Sequence, residues 1–198
     1  MNTTVLSVLA IALTLIAFLP YLRAIARGAF HPHVVSWGIW GSATLAISVA
    51  QYVSDGGAGA WPIFISGLLT IIVAVLAYHR SRDGSVTRVD MFFLLLSVCA
   101  LLSWFVSRDA LIAVVLLTVV DLSGFAPTYR RAWSHPHEES LQFYALMVVR
   151  NGLAALALEA YSLTTLLFPL AAGLACLIFV IMVTWRRRVF IDKTAHVE

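Results

Sequence analysis

Seven apolar runs dominate this chain of 198 residues, and each is about as long as a helix that crosses a bilayer. A hydrocarbon core about 30 Å thick needs ~20 helical residues at 1.5 Å each. Hydrophobic residues make up 61% of the chain and charged residues 12%, which is far from the balance of a soluble domain. We therefore predict an all-α integral membrane protein. Its seven transmembrane helices cover roughly residues 4–26, 34–53, 61–79, 89–106, 109–131, 140–158 and 161–186.

Basic residues gather at alternating ends of these runs. Eleven of the 13 Lys and Arg residues lie at the ends of the first, third, fifth and seventh runs. Cytoplasmic flanks collect Lys and Arg, which predicts an external N-terminus and a cytoplasmic tail at 189–198. We expect a plasma or inner membrane, with the lipid bilayer as partner. The net charge of +3 then follows from topology and indicates no nucleic acid.

Two short strings recur in the chain, each where one apolar run ends and the next begins. Pro20-Tyr-Leu-Arg23 precedes His31-Pro-His-Val-Val-Ser36, and Pro127-Thr-Tyr-Arg130 precedes His135-Pro-His-Glu-Glu-Ser140. The copies are offset by 107 and 104 residues. A repeat near this period in an apolar chain indicates a duplicated membrane bundle.

A third match extends the repeat to the end of each half. Gly67 and Arg80 recur as Gly173 and Arg186, an offset of 106 residues. The first three runs therefore correspond to the last three, and the fourth has no counterpart. A three-helix unit ends on the face opposite its start, so one extra helix gives both units the same orientation.

This arithmetic predicts a single membrane domain made of two parallel three-helix bundles. Residues 1–80 form the first bundle, 89–106 a linker helix, and 109–188 the second bundle. A central cavity between such bundles can open to one side of the membrane and then to the other.

The pattern resembles the SWEET and PQ-loop transporter superfamily. That family has a proline near the end of the first helix of each bundle, then basic residues, then a serine that opens the next helix. The matching residues are Pro20, Arg23, Arg27 and Ser36 in the first half and Pro127, Arg130, Arg131 and Ser140 in the second. The resemblance implies the seven-helix fold and transport of a small solute by alternating access. The asparagines that contact sugar in SWEET carriers have no counterpart here.

A second function class stays open beside transport. The KDEL receptor shares the architecture of this superfamily, so a non-transporting receptor or regulatory protein on the same seven-helix fold is the alternative. An enzyme is not expected, because no nucleophile–base spacing, metal motif or phosphate-binding glycine loop is present. We predict no cofactor, and the sequence leaves association into a homo-oligomer open.

Two ionisable residues fall near the middle of predicted helices. Asp121 lies ~17 Å into the fifth helix, and Arg150 lies ~15 Å into the sixth. An unpaired charge at the bilayer centre costs at least ~2.5–3.5 kcal/mol, so we expect the two side chains to pair. Their first-half counterparts are Thr14 and Ala46. This asymmetry favours a site for a charged or zwitterionic solute or for protons; an ion pair that only sets helix register is the alternative.

Further residues are candidates for the wall of the same site. Asn151 adjoins Arg150, and Trp40 and its counterpart Tyr144 are placed to stack on a solute. Thr14 and Ser42, like Thr44, Ser66 and Thr70, offer neutral hydroxyls. For the aromatic residues the alternative is an interfacial belt or packing, and for the hydroxyls it is hydrogen bonding between helices.

Pro20 and Pro127 occupy matched positions near the cytoplasmic ends of the first and fifth helices. Proline removes a backbone donor and kinks a helix, so the pair is a candidate for hinges of alternating closure. A simple helix-end proline is the alternative.

The His-Pro-His strings suggest metal binding, because imidazole is a common ligand. Proline is also favoured as the first residue of a helix, and Glu138 and Glu139 suit the positive N-terminus of the helix that follows. Helix initiation is the better explanation, and no metal site is predicted.

The predicted orientation can be tested directly. A reporter fused after Glu198 should read as cytoplasmic, and one fused before Thr3 should read as external. A C-terminus outside the cell would contradict the orientation and the parallel relation of the two halves.

Overall fold

The fold is helical along nearly its whole length. The computed structural model describes residues 2–28, 34–80, 88–134, 136–137 and 140–195, among which no strand occurs. The helices are α1 (Thr3–Ala26), α2 (Val34–Gln51), α3 (Ala60–Arg80), α4 (Arg88–Ser107), α5 (Ala110–Ser123), α6 (Phe125–Ser134), α7 (Leu141–Leu156) and α8 (Leu163–Ala195). The predicted all-α class is confirmed.

Several of these helices have the length and composition of membrane spans. Within the described residues, five stretches qualify: Thr3–Ala26, Val34–Arg80, Arg88–Ser107, Ala110–Ser134 and Leu163–Val189. Val34–Arg80 has 47 residues, about twice what a bilayer needs, and it contains α2 and α3. The apolar helix α7 is shorter. The chain is therefore a multi-pass membrane protein, and the number of seven spans stays a prediction.

The outer surface of the molecule is apolar. Large hydrophobic side chains face outward, with Val106 81% exposed and Phe105 74% exposed. A water-soluble protein rarely exposes such a surface, whereas acyl chains cover it in a bilayer. Helix α4 is the most peripheral span, because only 11% of its apolar window is buried.

The helices pack in a regular pattern. Helix α3 contacts both α1 and α2, and α8 contacts both α7 and α5. Contacts between the two ends of the chain join α1 to α7 and α2 to α5. Helix α4 lies against α5 and α2. Helix α8, the longest, therefore packs against two other helices of the C-terminal half, as α3 packs against two helices of the N-terminal half.

Small residues let α2 and α3 approach closely. A Cβ atom on Gly41 would lie 2.9 Å from the backbone nitrogen of Ile71, and one on Gly67 would lie 3.0 Å from that of Leu45. Helix association in a membrane depends on van der Waals contact, which small residues bring about. The same preference shows in the buried cluster at the centre, which contains Ala43, Ala100, Ala113, Ala154 and Ala172 beside Ile47, Ile63, Leu117 and Phe168.

Two glycines of α2 provide a matched test of this packing. Gly41→Ala should lower the free energy of unfolding by ~1–3 kcal/mol, because the added methyl group collides with α3. Gly38 has open space at its Cβ position, so Gly38→Ala should be neutral or stabilise by up to ~1 kcal/mol. Thermal unfolding in detergent measures both. Equal stability of the two variants would contradict close packing at Gly41.

Candidate functional site

A cavity of about 790 Å³ lies between helices of the N-terminal half and helices of the C-terminal half. Its wall reaches the exposed residues Pro20, Ser140 and Gln142. These residues lie at what we call the arginine-rich end, where Arg23, Arg80 and Arg130 lie near the ends of α1, α3 and α6, and where Arg186 of α8 bonds to the end of α6. The rest of the wall combines some aliphatic residues with many aromatic and polar ones, which are Phe18, Tyr21, Trp37, Trp40, Thr44, Ser66, Thr70, Asp121, Phe125, Phe143, Tyr144, Arg150, Asn151, Phe168 and Cys176.

Arg150 is buried in the wall of this cavity, with 4% of its surface exposed. One terminal nitrogen donates to Oδ1 of Asn151 at 2.9 Å, and the other donates to Oγ of Ser66 at 2.9 Å. The second nitrogen also lies 3.7 Å from the sulfur of Met147. Among the residues that the structure describes, none is a hydrogen-bond partner of its Nε. A buried cation is thus held by neutral groups from α7 and α3, and its Nε–H remains unused.

Asp121 lines the same cavity from the last turn of α5 and is partly exposed. Its charge interacts with that of Arg150, and the Thr44 hydroxyl lies beside its carboxylate. No direct ion pair joins Asp121 to Arg150 in the part of the chain that the structure describes, which differs from the expected pairing. The two terminal nitrogens of Arg150 donate instead to Asn151 and Ser66. The two charges face one space without neutralising each other directly.

Asn151 is fixed by its own helix. Its side-chain amide donates to the backbone carbonyl of Met147 at 2.9 Å, while its oxygen accepts from Arg150. Asn151 is 2% exposed and belongs to the cavity wall. It therefore orients the guanidinium from the neighbouring position in the chain.

Trp40 and Tyr144, the predicted aromatic pair, both line the cavity. The indole of Trp40 covers Gly124, where a Cβ atom would lie 2.1 Å from a ring carbon, so no larger residue fits there. Gly124 is also the residue that separates α5 from α6. The Tyr144 ring packs against Phe179, with the ring centroids 4.1 Å apart.

The structure does not bring Thr14 or Ser42 to the cavity wall. The hydroxyl of Thr14 is buried and donates to the carbonyl of Ala10 at 2.8 Å. Ser42 is exposed on the outside of α2. Two residues along a helix correspond to a rotation of about 200°, so Ser42 points away from the face that carries Trp40 and Thr44. Both residues are therefore poor candidates for solute contact.

The two prolines lie inside helices. Pro20 lies within α1 and belongs to the cavity wall. Pro127 lies within α6, three residues after Gly124, and its side chain is outside the described residues. Because proline has no N–H, neither Ile16 nor Ser123 receives the usual helical hydrogen bond to its carbonyl. The hinge role stays a prediction.

Several wall residues were not singled out by the sequence. Phe18 and Phe125 look like ordinary lipid-facing residues in an apolar run, yet both line the cavity. Their separation of 107 residues equals the offset of Pro20 and Pro127, and this signal could have found them. Cys176 belongs to the wall as well. His31, His33 and His135 lie outside the described residues.

The end opposite the arginine-rich end is held together by what we call the loop contact. The Gln51 side chain donates to the carbonyl of Thr165 at 2.7 Å. The Glu159 carboxylate accepts from the backbone N–H of Ala58 at 3.2 Å, and its own N–H donates to the carbonyl of Gly56 at 3.2 Å. These bonds join the end of α2 and the α2–α3 connection to the α7–α8 connection and the first turn of α8.

Comparison of the chain with protein-family models, with curated proteins and with solved structures finds no match. Functional inference therefore depends on the geometry of the cavity and of its two ends.

The balance of charge in the cavity can be tested by paired substitutions. Asp121→Asn should lower the free energy of unfolding by ~1–3 kcal/mol, because the buried Arg150 loses its nearby counter-charge. Adding Arg150→Gln to that variant should recover most of the loss. Thermal unfolding in detergent measures the change, and Asp109→Asn is the control, since Asp109 is an exposed N-cap that an amide can replace. An Asp121→Asn variant as stable as the control would contradict electrostatic coupling.

Proposed function

We propose that this protein carries a small solute across the membrane by alternating access, through the cavity between two parallel three-helix bundles. In this proposal residues 1–80 form the first bundle, 89–106 the linker helix and 109–188 the second bundle, as in the SWEET and PQ-loop superfamily. The N-terminus is external and the arginine-rich end is cytoplasmic. The following contacts support the proposal.

Helix packing supports the parallel repeat. In the first half, the third helix (α3) contacts the first and second helices, α1 and α2. In the second half, the third helix (α8) likewise contacts α5 and α7. The first helix of each half also contacts the second helix of the other half, as α1 with α7 and α5 with α2. A two-fold relation along the membrane normal accounts for all of these pairs.

Two equivalent arginines support the same repeat. Arg80, at the end of α3, donates to the carbonyl of Ala26 at 2.5 Å, and Arg186 in α8 donates to that of Trp133 at 3.0 Å. The arginines are 106 residues apart and their acceptors 107, which are offsets of the sequence repeat. Each arginine joins the end of the first helix to the third helix of its half.

These contacts hold the segment that follows each proline. Pro20 lies six residues before Ala26, and Pro127 lies six residues before Trp133. The segment after each proline is therefore tied to the third helix by an arginine. A bend at the proline lets this segment move with the third helix while the earlier part of the first helix stays against the other half.

The observation that carries the proposal is the difference between the two ends of the cavity. At the arginine-rich end the wall reaches exposed residues, whereas at the opposite end the loop contact joins the two halves. A carrier needs a site open to one side with a closed barrier on the other. The loop contact consists of hydrogen bonds worth only ~0.5–1.5 kcal/mol each, so it can open during a transport cycle.

Access to a thiol in the cavity wall tests this proposal. The chain has two cysteines, so Cys99→Ser with Cys176→Ser removes both, and Thr128→Cys then places a single thiol at a partly exposed position of the wall. A membrane-impermeant thiol reagent should label it from the cytoplasmic side and much more slowly from outside. Gln51→Ala with Glu159→Ala removes two hydrogen bonds and should raise external labelling roughly tenfold or more.

Glu159→Gln is the matched control, because the amide keeps an oxygen that accepts from Ala58. It should leave external labelling close to that of the parent. Equal labelling from both sides in the parent protein would contradict alternating access. Solute binding without flux in proteoliposomes would instead favour a receptor on this fold.

A further inference from the structure

We infer that the solute is a zwitterion with an apolar body, whose carboxylate binds Arg150 and whose ammonium group lies at Asp121. This inference rests on the cavity of the proposed function and specifies the chemical class that the cavity accepts. Three features of the wall carry it.

The first feature is an incompletely used guanidinium. Arg150 is 96% buried, faces the cavity, and has an Nε–H for which the described part of the chain offers no hydrogen-bond partner. Its other contacts are to the neutral groups of Asn151, Ser66 and Met147, so none of them supplies a negative charge. Buried donors are normally paired, and a guanidinium matches the geometry of a carboxylate. An anionic group in the cavity would satisfy both the free donor and the charge.

The second feature is a carboxylate in the same space. Asp121 lines the cavity without a direct ion pair to Arg150, and the Thr44 hydroxyl lies beside it. The Trp40 indole covers Gly124, one helical turn beyond Asp121. An ammonium group gains from a carboxylate and from the face of an aromatic ring. The wall near Asp121 therefore suits a cation.

The third feature is the aromatic surface between the charged groups and the cytoplasmic mouth. The rings of Tyr21 and Trp37 stack with centroids 5.2 Å apart, and those of Phe18 and Phe143 meet edge to face at 5.6 Å. All four residues belong to the cavity wall. This surface would lose water on contact with an apolar group, which favours a hydrophobic body on the solute.

Other solute classes fit these charges less well. A simple anion would meet the repulsion of Asp121, and a simple cation would meet that of Arg150. A neutral polyol would leave both charges without an ionic partner. Sites built to bond a polar group discriminate strongly against an analogue that lacks it. A zwitterion is the class that compensates both side chains at once.

Two matched probe sets test the inference with the intact protein in detergent. One set is L-phenylalanine, 2-phenylethylamine and 3-phenylpropionate; the other is L-leucine, 3-methylbutylamine and 4-methylpentanoate. Within each set the body is alike, and only the charged groups differ. Calorimetric titration should show at least one of the two zwitterions binding at least about tenfold more tightly than its amine and its carboxylate.

Charge substitutions test which residue reads which group. Asp121→Asn should weaken zwitterion binding at least about tenfold. It should also reduce the ratio of the affinity for the zwitterion to the affinity for the carboxylate probe. Arg150→Gln should weaken zwitterion binding by a similar factor and reduce the ratio of the affinity for the zwitterion to the affinity for the amine probe. The controls Asp109→Asn and Arg108→Gln alter exposed charges outside the cavity and should leave binding unchanged. The wild-type titration is informative even if a cavity variant fails to fold.

The outcomes separate this inference from the proposed function. Failure of all six probes to bind, or binding of a singly charged probe as tightly as its zwitterion, overturns the inference. Flux of a neutral solute in proteoliposomes also overturns it while leaving alternating access intact. Tight zwitterion binding without flux supports the inference and overturns transport.

Discussion

The hydrocarbon core of a membrane offers no hydrogen bonds, and this constraint explains the distribution of polar groups in the protein. Backbone groups are satisfied within helices. Several hydroxyls bond to a carbonyl four residues earlier in their own helix, as Thr14 does to Ala10 and Thr70 to Ser66. Arg150 has more donors than its own helix can satisfy, so it must face the interior and meet Ser66 of another helix. The polar wall of the cavity is therefore explained in part by the lipid around the molecule, which leaves the interior as the place for such groups.

Similarity and difference between the two halves have separate roles. Arg80 and Arg186 make the same contact in each half, and the third helix packs in the same way in both. These contacts hold the helices of each half together, so a fold with two similar halves contains them twice. Asp121 and Arg150 have no charged counterpart in the first half. In the proposed transport cycle, a single solute would lie across the two halves, and its charged groups would need to be recognised only once.

The loop contact requires an unusual backbone. Gly57 has a φ of 55°, and a Cβ atom there would lie 2.2 Å from the Glu159 carboxyl carbon. Glycine is permitted in this region of backbone space and leaves room for the carboxylate. The glycines at this connection thus allow the close approach of the two halves, on which the barrier of the proposed cycle depends.

Local features of the sequence determined the helical class, the positions of the apolar helices and the repeat, because hydropathy and spacing are properties of short segments. They did not determine which face of each helix points inward. Ser42 faces outward, Thr14 bonds within its own helix, and Phe18 lines the cavity. In a soluble helix an apolar stripe marks the buried face, but in a bilayer both faces are apolar and this signal is lost. Only tertiary packing, through contacts such as Gly41 against Ile71, decided the rotation of each helix and hence the partners of Arg150.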